Sequence, residues 1–232
     1  MKNKKLKIWS LYVVLLHAFL VIVLAKSDFI MKVGGVLGVY QTPELSGYYN
    51  RIVEYHKRMD GNVQENSAIF IGDSITQGLA VSSVMVPSIN YGIGSDTTLG
   101  VLNRLQYYQS MDSAKVIFLA VGINDLRRRS ENEILLNYTK IIERLRDNYL
   151  VISAILPVDE IYTDVNNEEI INLNNKLKKL VSKYKNITFI DAGNDLIDST
   201  GNLKKDNHIG DGVHLSTNGY EIWIKALKQS VI

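Results

Sequence analysis

Ala68-Ile69-Phe70-Ile71-Gly72-Asp73-Ser74-Ile75-Thr76 decides the reading of this chain. Four apolar residues in a row, with no polar residue alternating among them, predict a strand covered on both faces. Gly72-Asp73 breaks the run and leaves a serine just beyond its end. Similar short apolar runs follow at 88–91, 116–121, 150–156 and 187–190. Between and after them lie stretches of helical periodicity at 97–108, 131–148, 168–184 and 217–229. Continuous apolar strands alternating with helices predict an α/β fold, a three-layer α/β/α sandwich around a central parallel sheet of about five strands, flavodoxin-like in plan. Ligands of such sheets sit at the carboxyl ends of the strands, where Ser74 stands.

The composition bounds what this fold can be. Of 232 residues, 46% are hydrophobic and 22% charged, enough for one domain of roughly 170 to 200 residues beyond a short leader. No cysteine is present, which excludes disulfides, thiol catalysis and cysteine-bound zinc. Five of the 26 basic residues (Lys2, Lys4, Lys5, Lys7 and Lys26) flank the leader, leaving 21 against 24 acidic ones, so the body is slightly acidic. That balance argues against nucleic acid as a partner.

The leader is an unbroken apolar stretch, 8–25, behind four lysines, with no acidic residue before Asp28. Eighteen helical residues rise about 27 Å, close to the hydrocarbon thickness of a bilayer. The expectation is a retained membrane anchor with its lysines cytoplasmic and the body outside. A cleaved signal ending near Val23-Leu24-Ala25, giving a secreted protein, is the alternative, and a buried core helix is a third. Residues 26–60 then read as a glycine-containing stem and a leading helix over 44–59, stopped by Asp60-Gly61-Asn62, with the main domain over 61–232.

Four segments carry chemistry. Ser74 follows Gly72-Asp73, a fragment that is equally an ordinary turn. Asn90-Tyr91-Gly92-Ile93-Gly94-Ser95-Asp96-Thr97-Thr98 is a glycine-bearing turn ahead of a helix, a place where backbone N–H groups meet an anion. Gly122-Ile123-Asn124-Asp125 follows the most apolar strand, and Asn124 there is either a turn residue or a side-chain N–H donor. Asp211-Gly212-Val213-His214 places a carboxylate within one turn of an imidazole. A serine hydroxyl needs a base to take its proton, and an imidazole needs a carboxylate to fix its tautomer. Ser74, His214 and Asp211 can fill those roles. His208, with Asp206 nearby, is the competing base, but its Lys204-Lys205-Asp206-Asn207 surroundings read as a solvated loop.

Taken in order over residues 68–229, the four segments resemble the SGNH hydrolases, also called GDSL esterases and lipases, and within them the platelet-activating-factor acetylhydrolase-like and acylhydrolase branch. The resemblance implies a serine esterase with Ser74 as nucleophile, His214 as base and Asp211 as its orienting residue. It implies an oxyanion hole of the Ser74 and Ser95 backbone N–H groups with the Asn124 side chain. Family members usually carry glycine where this chain has Ser95, so Gly94 is an alternative donor, and the hole survives unless the turn demands positive φ. No metal or organic cofactor is implied. Acyl transfer to a cell-envelope sugar and a non-catalytic envelope-binding module are the rival readings. No long lid insertion interrupts the segments, which favours short acyl groups on a lipid or carbohydrate ester. Arg127, Arg128 and Arg129 are either a solvated charge run or a contact for an anionic substrate.

Overall fold

The computed structural model describes residues 9, 10, 12–20 and 46–231. Residues 9, 10 and 12–20 are helical; the rest of the 8–25 segment, the stem, and the first residues expected for the leading helix lie outside the described residues. Among the described residues no helix is long and apolar enough to cross a membrane, so the anchor read at 8–25 finds no support there.

Residues 46–231 belong to one compact unit. Its sheet has five strands, β1 (Ala68–Gly72), β2 (Ser88–Gly92), β3 (Val116–Ala120), β4 (Leu150–Ser153) and β5 (Ile187–Ile190), in the order β2-β1-β3-β4-β5. Every neighbouring pair is parallel. Successive side chains of a strand point to opposite faces, and here both sets are apolar. Ile69, Ile71, Ile117, Leu119, Leu150 and Ile152 face one core. The helices α3 (Thr98–Arg104), α4 (Glu131–Arg144) and α5 (Asn167–Val181) cover it with Val101, Ile134, Tyr138, Ile141, Leu173 and Leu177. Ala68, Phe70, Val116, Phe118 and Val151 face the other core, closed by Ile75 of α2 (Ser74–Gln77), Leu196 of α6 (Gly193–Leu196), and Trp223 and Leu227 of α7 (Thr217–Gln229). Phe70 and Phe118, paired in register, stack with centroids 4.4 Å apart. Burial of each ring contributes about 1.5–3 kcal/mol and stacking at most about 1.5, so removal from water dominates.

The leading helix, α1 (Gly47–Asp60), begins where the Ser46 side chain accepts from Tyr49 N–H. Polar contacts tie it to β2, to α3 and to the 3₁₀ turn Gln109–Ser113. Tyr49 donates to Gly100 O at 2.6 Å, and the buried Asp60 carboxylate accepts from Tyr91 Oη, Ser110 Oγ and the Gln109 amide.

Several elements end earlier than the sequence predicts, among them the helices expected over 131–148 and 168–184, which stop at Arg144 and Val181. The apolar run at 150–156 leaves the sheet after Ser153, because the amide and carbonyl of Ile155 are taken by the Asn174 side chain rather than by a neighbouring strand. The helix expected over 97–108 ends at Arg104 and continues as two 3₁₀ turns, Leu105–Tyr107 and Gln109–Ser113.

This topology sets the site. The chain runs from β1 outward to β2 and then returns to β3 on the other side of β1. The crevice of such a sheet opens at the carboxyl ends of β1 and β3, the strands that lead into Ser74 and Asn124.

Candidate active site

Ser74 opens α2, and Asp73 caps that helix by accepting from Ile75 N–H at 3.0 Å. Glycine is required on both sides of this turn. A Cβ on Gly72 would fall 2.0 Å from Ala120 O, and one on Gly92 would fall 2.2 Å from Gln77 N. The turn therefore packs directly on β2 and β3, leaving Ser74 half-buried.

Asp211 and His214 reach the same point from the turn that precedes α7. The His214 ring bridges the other two side chains, with Nδ1 2.6 Å from Asp211 Oδ2 and Nε2 2.8 Å from Ser74 Oγ. A carboxylate accepts from Nδ1–H, which leaves Nε2 bare to accept from the serine hydroxyl. Asp211 Oδ1 meanwhile accepts from the amides of Val213 and His214, at 3.0 and 2.9 Å. Burial works to raise the Asp211 carboxyl, but its hydrogen bonds from His214 and Val213 prevail and hold its pKa below the ordinary carboxylate value.

The opposite wall comes from the loops after β2 and β3. Asn124 donates one side-chain N–H to Asp96 O at 3.0 Å, which fixes the plane of its amide beside the 94–96 turn. Ser95 does adopt positive φ, +63°, the left-handed region that glycine occupies freely. A serine there carries strain on the order of 1–2 kcal/mol, while its backbone N–H keeps the direction a glycine would give it. Among the described residues nothing accepts from that N–H. Gly94, the alternative donor, has an ordinary φ and sits against Gln77 and Tyr48.

Behind this wall lies a fully buried ion pair that sequence reasoning missed. Arg104 Nε donates to Asp96 Oδ2 at 2.8 Å, and Arg104 Nη2 donates to Gly72 O at 3.1 Å, joining the turn of Ser95 to the turn of Ser74. A signal existed, since Arg104 sits among Val101, Leu105 and Tyr108 on the apolar face of its segment. Its guanidinium also borders His56, whose pKa burial and this charge lower to about 3. Asp125 was noted only as part of a turn. Its carboxylate accepts from Thr98 N–H and Thr98 Oγ1, at 2.8 and 2.7 Å, and from Arg129 at 3.3 Å, binding the Asn124 loop to the start of α3.

The three arginines have protein partners. Arg127 pairs with Asp164 and Thr163, Arg128 donates to Asn124 O at 2.6 Å, and Arg129 meets Asp125. His208 is where the sequence misleads. Lys204, Lys205 and Asp206 are exposed, but the His208 side chain has no solvent exposure, so it is not a second accessible base.

Asp73 is buried, which raises its pKa to about 7, with the Asp96 and Asp125 charges adding to the effect against the Ile75 hydrogen bond. A carboxyl so raised stabilises the fold fully below about pH 4, and that contribution is lost as pH rises toward 7. Asp73→Asn keeps the cap acceptor and has no proton to lose. Its stability relative to wild type, measured by urea unfolding, is therefore expected to increase between pH 5 and pH 8; a constant difference would contradict the assignment.

A parallel α/β/α sandwich with this site at its carboxyl edge is a carboxylic ester hydrolase of the SGNH class. The chain belongs to the GDSL-like lipase/acylhydrolase family, whose model matches residues 70–222. It is 24% identical over 196 residues to the human platelet-activating factor acetylhydrolase IB subunit alpha2, covering 79% of this chain and 84% of that one. Among solved structures it is similar to a platelet activating factor protein from Streptococcus pneumonia, with TM-score 0.73, 30% identity, and coverage of 78% of this chain and 92% of the other. An acetylxylan esterase from Geobacillus stearothermophilus shares the fold at TM-score 0.60 and 16% identity, covering 71% of this chain and 93% of the other.

Proposed function

We propose that this hydrolase cleaves short-acyl carboxylic esters, on a lipid or an envelope carbohydrate, through an acyl-enzyme on Ser74. The observation that carries the reading is the relay from Asp211 through His214 to Ser74, continuous at hydrogen-bond distance. Ser74 Oγ attacks the ester carbonyl as His214 Nε2 takes its proton, and Asp211 steadies the imidazolium. The carbonyl oxygen gains negative charge and is met by the backbone N–H groups of Ser74 and Ser95 and the second N–H of the Asn124 amide. His214 then protonates the departing alcohol. Water, deprotonated by the same ring, attacks the acyl-serine and releases the acid. Arg128 and Arg129 enter this reading as braces of the Asn124 loop rather than as contacts for an anionic substrate.

Support for a short acyl group comes from the names of the relatives, an acetylhydrolase and an acetylxylan esterase, and from the absence of a long lid insertion among the four segments. Turnover of p-nitrophenyl esters from acetate to palmitate tests it. kcat/KM is expected to fall steadily as the chain lengthens; a maximum at palmitate would overturn the short-acyl reading and leave the triad untouched.

We also propose that the body works outside the cytoplasmic membrane, tethered by residues 8–25, a reading that rests on the lysine-flanked apolar sequence. Cell fractionation is expected to recover the full-length chain with membranes. Soluble protein beginning near Lys26 would establish cleavage instead.

A further inference from the structure

The turn that carries Asp211 and His214 has almost no regular structure to hold its amides, yet buried amides need acceptors. Two side chains supply them. On the active-site side, Asp211 Oδ1 accepts from Val213 and His214. On the inner side, His208 Nδ1 accepts from Gly210 N–H at 3.1 Å and from Gly212 N–H at 3.0 Å, the amides that bracket Asp211. Both glycines have positive φ, +103° and +73°, so the backbone is coiled around the His208 ring in a form few other residues adopt. The ring is enclosed: its side chain is 0% exposed, Tyr162 lies 5.4 Å away by centroid, and Nε2 stands 3.4 Å from Asp159 Oδ2, outside hydrogen-bonding geometry. Two donors at Nδ1 require that nitrogen to be without a proton, which puts the hydrogen on Nε2, toward Asp159. The loop after β4 closes the other side, where Asp159 N–H donates to Gly212 O at 2.8 Å and a Cβ on Gly212 would fall 2.7 Å from Asp159 O.

We propose that His208 is a positioning residue for the triad: its bare Nδ1 gathers the amides on either side of Asp211 and so sets the place from which Asp211 orients His214. The proposal rests on the triad reading above. Its reach is greater than that of an ordinary loop contact, because Asp211 and His214 both hang from this one turn, and a shift of the turn moves base and orienting carboxylate together relative to Ser74. Displacements of about 1 Å at a reacting group cost on the order of 10²-fold in rate. The proposed oxyanion donors on the loops after β2 and β3 hang from other elements, so KM should change little.

The test compares His208→Ala with His208→Asn on p-nitrophenyl acetate, counting only turnover above that of Ser74→Ala. The Asn Oδ1 stands near the position of Nδ1 and restores the acceptor. His208→Ala is expected to lower kcat about 10²-fold with KM within about twofold, and His208→Asn to return kcat to within about tenfold of wild type. Thermal melts establish that each variant is folded. Wild-type kcat in folded His208→Ala overturns the proposal. So does a folded His208→Asn as slow as His208→Ala, or slower than wild type by 10²-fold where the alanine variant does not fold. Failure of both variants to fold would make His208 a residue of the fold alone. Undiminished turnover in Ser74→Ala would remove the triad reading, and this proposal with it.

Discussion

Ser74→Ala and His214→Ala are each expected to lower kcat by about 10⁶-fold, the scale on which a nucleophile and its base act as one unit. Neither side chain holds the core together. Ser74 and His214 are both half-buried at the sheet's carboxyl edge, whereas the two cores are built from the strands and from α2 to α7. Both variants should therefore unfold with wild-type cooperativity. The double variant should be no slower than either single one, because once the unit is broken its second member has nothing left to act on. Asp211→Asn is expected to cost less, on the order of 10⁴-fold, since an amide can still hold the ring while favouring the wrong tautomer. Asp211 also accepts from two amides of its own turn, and asparagine keeps that acceptor. The loss should thus appear in kcat without a matching loss of stability. Equal kcat in wild type and Ser74→Ala would end the account.

The second large effect belongs to Asn124. Removing its amide should lower kcat by about 10²–10³-fold and change KM little, because the donor acts on charge that develops only in the transition state. Asn124→Ala also deprives Asp96 O of its partner, so the alanine variant mixes catalysis with loop geometry. Asn124→Asp leaves Asp96 O equally without its donor, so the two variants differ chiefly in the charge that the second places beside the oxyanion. The carboxylate keeps the shape of the side chain but replaces both N–H groups with acceptors and adds a negative charge beside the oxyanion. A folded Asn124→Asp slower than Asn124→Ala supports the oxyanion role. A rise in KM with kcat intact in both variants would make Asn124 a substrate contact instead.

The sheet was legible because its strands are buried on both faces, and double burial writes itself as runs such as Ile69-Phe70-Ile71 and Val116-Ile117-Phe118-Leu119. The positions of Ser74, Asn124, Asp211 and His214 followed from the same runs, since each lies beyond the end of a strand or in the turn before a helix. What did not follow was whatever depends on pairing across the chain. Arg104 and Asp96 are eight residues apart in sequence, and only the fold reveals that their ion pair also ties down Gly72 O. His208 was hidden by its neighbours. Lys204, Lys205 and Asp206 do face solvent, but Asn207 and His208 turn inward, where Asn207 donates to Leu196 O and His208 gathers two amides. Composition reports the exposed half of such a segment and is silent on the buried half. Strand ends were misjudged for a related reason: Ala154 to Leu156 are as buried as the strand before them, but a side chain, Asn174, takes the hydrogen bonds that would have continued the sheet.

The central claim is that acyl transfer passes through Ser74. The most direct measurement is an acid quench of the enzyme during turnover of p-nitrophenyl acetate, followed by peptide mass spectrometry. A burst of p-nitrophenol with an acetyl group on the peptide containing Ser74, absent from Ser74→Ala, is the predicted result. Full turnover with no acyl adduct, or with the adduct on another residue, would contradict it.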